Sequence, residues 1–171
     1  LEATSLLAGI VVDTKSFTLQ TGARTFEAAS YLRRNGADSA MVQRLLKEDL
    51  TSFMKKAEIM KHTEIIYDHI AVAVAGASQK CSQLLIAQVA DTLLNMTDIM
   101  ASFAICERQD GLIGISARSS GQINVQIIME KLGGGGHLTN AATQIEGTLA
   151  AAEEKLKQVL KQMDEEEGLF E

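Results

Sequence analysis

The spacing of apolar residues changes character along the chain, and each change predicts a different element. Residues 4–12 are largely apolar and run into Asp13 and Thr14. Periodicity alone does not separate a helix from a buried strand there, and a helix is the expected form. Residues 25–34 predict a short helix, with Thr25 as its N-cap and Asn35-Gly36 as a left-handed stop. Asp38 then caps a further helical stretch in which Met41, Val42, Leu45 and Leu46 share one stripe. Leu50, Phe53, Met54, Ala57 and Met60 continue that stripe beyond a polar break at Lys47, Glu48 and Asp49.

Past the break, strand and helix patterns alternate. Residues 70–75 interleave β-branched residues with alanine, the mark of a strand, whereas Leu85, Val89, Leu93 and Met96 recur at helical spacing within residues 82–96. Two apolar runs, 101–108 and 112–118, flank Gln109-Asp110-Gly111 and predict a hairpin. Asn124 would cap a helix ending near Leu132, just before four consecutive glycines. Residues 144–146 suggest a short strand and 148–162 a closing helix, with Glu153 and Lys157 paired one turn apart. The expected fold class is therefore α/β, a mixed sheet flanked by helices, preceded by a mostly helical part. The expected division is 1–48, a helical connector at 49–68, and a second domain at 69–171.

Composition narrows the function. The 171 residues contain no proline, where ordinary usage would supply roughly eight. Turns must fall to Gly, Asn and Asp. Net charge is −6, only 4% of residues are aromatic, and no basic run exists to collect phosphates, so a groove for long nucleic acid is excluded. No apolar stretch is long enough to span a bilayer, so no membrane contact is expected from this chain. The absence of a signal peptide, with a start at Leu1, suggests a piece of a longer protein. Cys81 and Cys106 lie in apolar surroundings without a paired spacing and are expected to be reduced, buried and cytoplasmic.

Three places could carry chemistry. The run Gly133-Gly134-Gly135-Gly136-His137 would let a backbone approach a ligand closely. Free amide N–H groups there, with a helix start after His137, would favour an anion; a flexible turn with an exposed histidine fits the glycine count equally well. The run is not a P-loop, because the Gly-Lys-Ser/Thr ending is missing. Ser116 and Arg118 lie two apart on an expected strand and so share one face, and arginine grips phosphate bidentately. Asp13 closes an apolar run, but one carboxylate does not make a metal site. His62 and His69 read as surface residues.

Taken in order, Ile115-Ser116-Ala117-Arg118-Ser119, Ile123-Asn124-Val125, Gly134-Gly135-Gly136-His137 and Asn140-Ala141-Ala142 resemble the substrate-binding domain of the DHH phosphoesterase superfamily. Gly9-Ile10-Val11-Val12-Asp13-Thr14, Phe17 and Gly36-Ala37-Asp38 resemble the end of its catalytic domain. Within the superfamily, the membrane-anchored cyclic-di-AMP phosphodiesterases are most similar. The resemblance implies that Asp13 is the last ligand of a two-ion Mn2+ centre. It implies that Arg118, with Ser116 beside it, grips phosphate. Gly134, Gly135, Gly136 and His137 would contact the phosphate and sugar. Asn124 and Asn140 match family positions, and their expected roles are a helix cap and a loop brace.

The resemblance further implies a hydrolase that opens cyclic-di-AMP to linear pApA on the cytoplasmic side of a membrane-anchored parent. The remaining metal ligands would lie upstream of Leu1, so the chain by itself is expected not to hydrolyse. Expected partners are a cyclic dinucleotide or a short oligonucleotide, and a homodimer stays open. A nanoRNase, a single-strand exonuclease, a polyphosphatase, or a non-catalytic nucleotide-binding or dimerisation module are the alternatives.

Overall fold

A computed structural model describes residues 1–19 and 21–168. The chain divides into two compact units, Leu1–Asp49 and Leu50–Glu171.

The first unit is helical. It comprises α1 (Glu2–Asp13), α2 (Ala23–Arg34) and α3 (Ser39–Leu45), packed around Leu7, Ala29, Ala37 and Val42. Asp38 caps α3 as expected, accepting from the backbone N–H of Ala40 and Met41. Thr25, expected as the N-cap of α2, is instead its third residue, and its hydroxyl accepts from the N–H of the true cap, Gly22. After α1 the backbone makes a left-handed turn through Lys15, Ser16 and Phe17, at φ of 44°, 58° and 66°. Left-handed geometry costs side-chain-bearing residues about 1–2 kcal/mol each. Thr14 braces the turn, donating to the Ile10 carbonyl at 2.7 Å and accepting from Phe17 N–H at 2.9 Å.

The second unit contains α4 (Leu50–Met60), β1 (Thr63–Ile66), β2 (Ile70–Val74), β3 (Lys80–Cys81), α5 (Gln83–Leu94), β4 (Ala101–Arg108), β5 (Ile113–Ser119), α6 (Val125–Lys131), β6 (Gly135–His137), β7 (Asn140–Ile145) and α7 (Leu149–Glu167). Among the described residues the strands form one seven-stranded sheet, ordered β1-β2-β4-β5-β7-β6, with β3 also paired to β4. The β2–β4 and β3–β4 ladders are parallel and the others antiparallel. The fold is the mixed, helix-flanked α/β sheet anticipated from the sequence. Residues 49–68, expected to be a helical connector, hold α4 and the edge strand β1, both within the second unit.

Alternation along β2 explains how the sheet is covered. Ile70 and Val72 join Phe103, Ile105, Ile113 and Ile115 on one face, against Ile128, Met129, Leu156, Leu160 and Met163 from α6 and α7. Ala71 and Ala73 face the other way, with Ala104 and Cys106, against Ile86, Val89, Ala90 and Leu93 of α5 and Ile59 of α4. Small strand residues let those helices approach closely. At Gly114 a Cβ would stand 2.8 Å from Ile86 Cδ1. Helix α5 packs on β4 and β5, whereas Asn140 and Gln144 of β7 are exposed on the same face.

Two expectations fail here. Cys81 and Cys106 are buried, but they form a disulfide rather than two thiols. Parallel pairing of β3 with β4 sets Cys81 opposite Arg108, two residues from Cys106 on the same face, a proximity that sequence spacing cannot reveal. His69 is half-buried rather than at the surface. Its Nδ1 is enclosed and has no partner among the described residues.

Candidate functional site

The face of β5, β7 and β6 that α5 only partly covers gathers Ser116, Arg118, Gly135 and His137. Arg118 on β5 stands opposite Asn140 on β7, and Asn140 stands opposite His137 on β6. Directly opposed residues project to the same side with Cβ atoms roughly 4.5–5.5 Å apart, so this row crosses three strands in about 10 Å. Two residues along each strand lies a parallel row of Ser116, Ala142 and Gly135. Ser116 is buried, and Ala142 with Gly135 forms a shallow floor beside a rim of guanidinium, amide and imidazole.

Helix α5 walls this floor on one side. Gln83, its first residue, donates from Nε2 to the buried Ser116 hydroxyl at 3.0 Å. Two turns on, Asp91 accepts from Arg118 Nε at 3.0 Å. Arg118 also donates from Nη1 to the Ala117 carbonyl at 2.9 Å, and its side chain is only 16% exposed. The helix is fixed by Ser82, whose hydroxyl accepts from Leu85 N–H.

The glycine run is not the loop-to-helix anion nest considered from the sequence. Gly133 and Gly134 donate their N–H groups to the carbonyls of Glu130 and Met129, closing α6. Gly135–His137 is then a strand, and a strand rather than a helix follows it. Two of the glycines are demanded by that hairpin. A Cβ at Gly134 would lie 2.2 Å from the Ala142 carbonyl oxygen, and one at Gly136, where φ is +152°, would lie 2.4 Å from Ala141 Cα. Gly135 is different: a Cβ there meets nothing within 4 Å. The fold does not need glycine at that position.

Asn124 caps α6 as expected, accepting from Gln126 N–H at 3.1 Å. Asn140, expected as a loop brace, donates from Nδ2 to its neighbour Thr139 and occupies the middle of the rim. The sequence reading missed it in that place, together with Asp91 and Gln83. The available signal was their eight-residue spacing, which puts both on one side of α5.

Asp13 is the exposed last residue of α1 in the first unit. Among the described residues no three His, Cys, Asp or Glu side chains converge to hold a metal ion. Asp13 by itself does not make up the two-ion Mn2+ centre that the sequence resemblance implies, and no step is assigned through it.

Comparison with known proteins gives a consistent picture. The DHHA1 domain family matches residues 68–167. The chain is 57% identical to the cyclic-di-AMP phosphodiesterase PdeA of Listeria monocytogenes serotype 1/2a (strain 10403S), over 91% of this chain and 24% of that protein. It is 54% identical to the cyclic-di-AMP phosphodiesterase GdpP of Bacillus subtilis (strain 168), over 94% of this chain and 25% of that one. It therefore spans about a quarter of the length of these relatives. Among solved structures, an exopolyphosphatase-related protein from Bacteroides fragilis superposes with a TM-score of 0.83 at 19% identity. That match covers 95% of this chain and 49% of the other, a likeness of fold.

Proposed function

Because the chain belongs to the DHHA1 domain family, we propose that it is the nucleotide-recognition part of a phosphodiesterase that opens cyclic-di-AMP to linear pApA. One observation carries this reading: Arg118 and His137 flank the same strand residue, on a face floored by Ala142 and Gly135. A phosphodiester is compact and anionic, with two non-bridging oxygens that accept hydrogen bonds. The Nη2 N–H groups of Arg118 can donate to one of those oxygens, and an imidazole N–H can donate to another acceptor on phosphate or sugar. The low floor admits the ribose-phosphate backbone, and Gly135 permits its close approach. Gly134 and Gly136 act indirectly, by letting β6 lie against β7.

The same reading extends to the parent protein. Asp13 would be one carboxylate of its Mn2+ centre, and the other ligands would come from outside these residues, so the chain alone would bind without hydrolysing. Among the described residues no helix is long and apolar enough to cross a membrane. Placement on the cytoplasmic side of a membrane-anchored parent belongs to this proposal.

Titration of the chain with cyclic-di-AMP, pApA and a short single-stranded oligoadenylate tests it. Saturable binding of the cyclic dinucleotide or pApA, weakened by Arg118→Ala, is expected. Metal-dependent turnover by the chain above an Asp13→Ala control would contradict the division of labour, and equal affinity in Arg118→Ala would remove the phosphate seat.

A further inference from the structure

Asp91 occupies a position that local helix energetics disfavour. It lies in the last turn of α5, where the exposed carbonyl ends carry partial negative charge and a cation is preferred. Its neighbours Ala90 and Leu93 are buried apolar residues. A local rule broken in this way calls for a compensating interaction, and such breaks cluster at functional sites. The compensation is Arg118, across the face of the sheet, with Nε 3.0 Å from Asp91 Oδ1.

The geometry of that contact matters more than its charge. Nε donates to Asp91 and Nη1 to the Ala117 carbonyl. Two bonds from different nitrogens of one planar group fix both its position and its plane. Among the described residues Nη2 has no hydrogen-bond partner, so the guanidinium is anchored through Nε and Nη1 and keeps its Nη2 N–H groups for an oxyanion. We propose that Asp91 is a positioning residue, which holds Arg118 in the orientation that grips substrate phosphate. This role rests on the phosphate reading above.

Orientation and charge make opposite predictions. If Asp91 only neutralised Arg118, removing it would strengthen anion binding. If it positions Arg118, removing it frees a long side chain that must then be ordered by the ligand, a cost of roughly three- to tenfold in affinity. Asp91 keeps a 36% exposed side chain, so its own repulsion of phosphate is partly screened by water.

The experiment is a titration of cyclic-di-AMP into the wild-type chain and into Asp91→Asn, Asp91→Ala, Arg118→Ala and the Asp91→Ala/Arg118→Ala pair. Solvent exchange of the Arg118 Nε–H is followed by NMR without ligand, and melting is recorded for each variant. Expected are a loss of roughly three- to tenfold in both Asp91 variants, no further loss when Arg118 is already alanine, and faster Nε–H exchange. The near-isosteric Asn variant keeps the test informative if Ala at this site disturbs the helix. Unchanged or tighter binding in the Asp91 variants, while Arg118→Ala loses affinity, would overturn the positioning role alone. Absent binding, or equal affinity in wild type and Arg118→Ala, would overturn the phosphate reading and the positioning role with it.

Discussion

Arg118 and His137 stand opposite the same residue, Asn140, from the two sides of β7. Their juxtaposition is a matter of strand register, because 19 positions of chain separate them and only the β5–β7 and β7–β6 ladders bring them into one row. Register is specified strongly wherever one face of a strand is buried, since a one-residue slip reverses every side chain. Ala117 and Ala141, buried on the opposite face, therefore hold the rim in place.

Alanine at either end of this row should weaken cyclic-di-AMP binding. Arg118→Ala and His137→Ala are each expected to cost about 1–3 kcal/mol, the range for hydrogen bonds to charged groups. Residues that share one ligand group couple, so the double variant should lose less or more than the sum of the two. Calorimetric titration of the four proteins measures this. Strictly additive losses would place the two side chains on separate parts of the ligand.

The glycines separate stability from binding. Gly134→Ala and Gly136→Ala drive a Cβ into the β7 backbone, and each should lower stability by about 1–3 kcal/mol in a denaturant melt. Gly135→Ala meets open space and should melt as wild type does. Affinity should nevertheless fall in Gly135→Ala, because the added methyl occupies the floor. Wild-type affinity in this variant would mean that the ligand does not approach there.

What could be read before the structure was local. Helices α2, α3, α5 and α6 follow from apolar spacing and from caps within one turn, and the β4–β5 hairpin from Asp110-Gly111. Strands β1, β3 and β6 could not be read, because they are short and lack an alternating stretch; β6 is two glycines and a histidine. Ser116 and Arg118 were legible as a pair because period-two geometry is built into a strand. Their partners Gln83 and Asp91 were not, since a contact across 33 or 27 residues exists only once α5 lies on the sheet. The helix considered as one reading after the glycines is instead β7, whose buried Ala141 and Thr143 pair with β5.

Lys157 gives a pH signature. Its ammonium lies 2.8 Å from Glu153 and 2.6 Å from Glu64, tying α7 to β1. Hydrogen bonds to Glu153 and then Glu64 raise its pKa above the usual lysine value. A raised folded-state pKa means that the stabilisation is complete below the unfolded value of about 10.4 and is lost as pH climbs through the higher folded one. Lys157→Gln should therefore be less stable than wild type at neutral pH, by on the order of 0.5 kcal/mol for so exposed a cluster. The two urea midpoints should converge at strongly alkaline pH. A gap that persists there would assign the effect to packing of the lysine stem.

The disulfide should contribute measurably to the second unit. Cys81 and Cys106 are separated by 25 positions, and closing a loop of that size in the unfolded chain stabilises the folded one by about 2–4 kcal/mol. The bond fastens β3 to β4 immediately before Ser82, the N-cap of α5, and Gln83 beside it holds Ser116. Reduction should therefore act in two ways: a lower denaturation midpoint, and faster amide exchange at Leu85, whose N–H is bonded to the Ser82 hydroxyl. Cys81→Ala/Cys106→Ala should reproduce both in the absence of reductant and become insensitive to it. Coincident midpoints for the wild-type chain with and without reductant would show that the strand pairing of β3 and the Ser82 cap hold α5 without the cross-link.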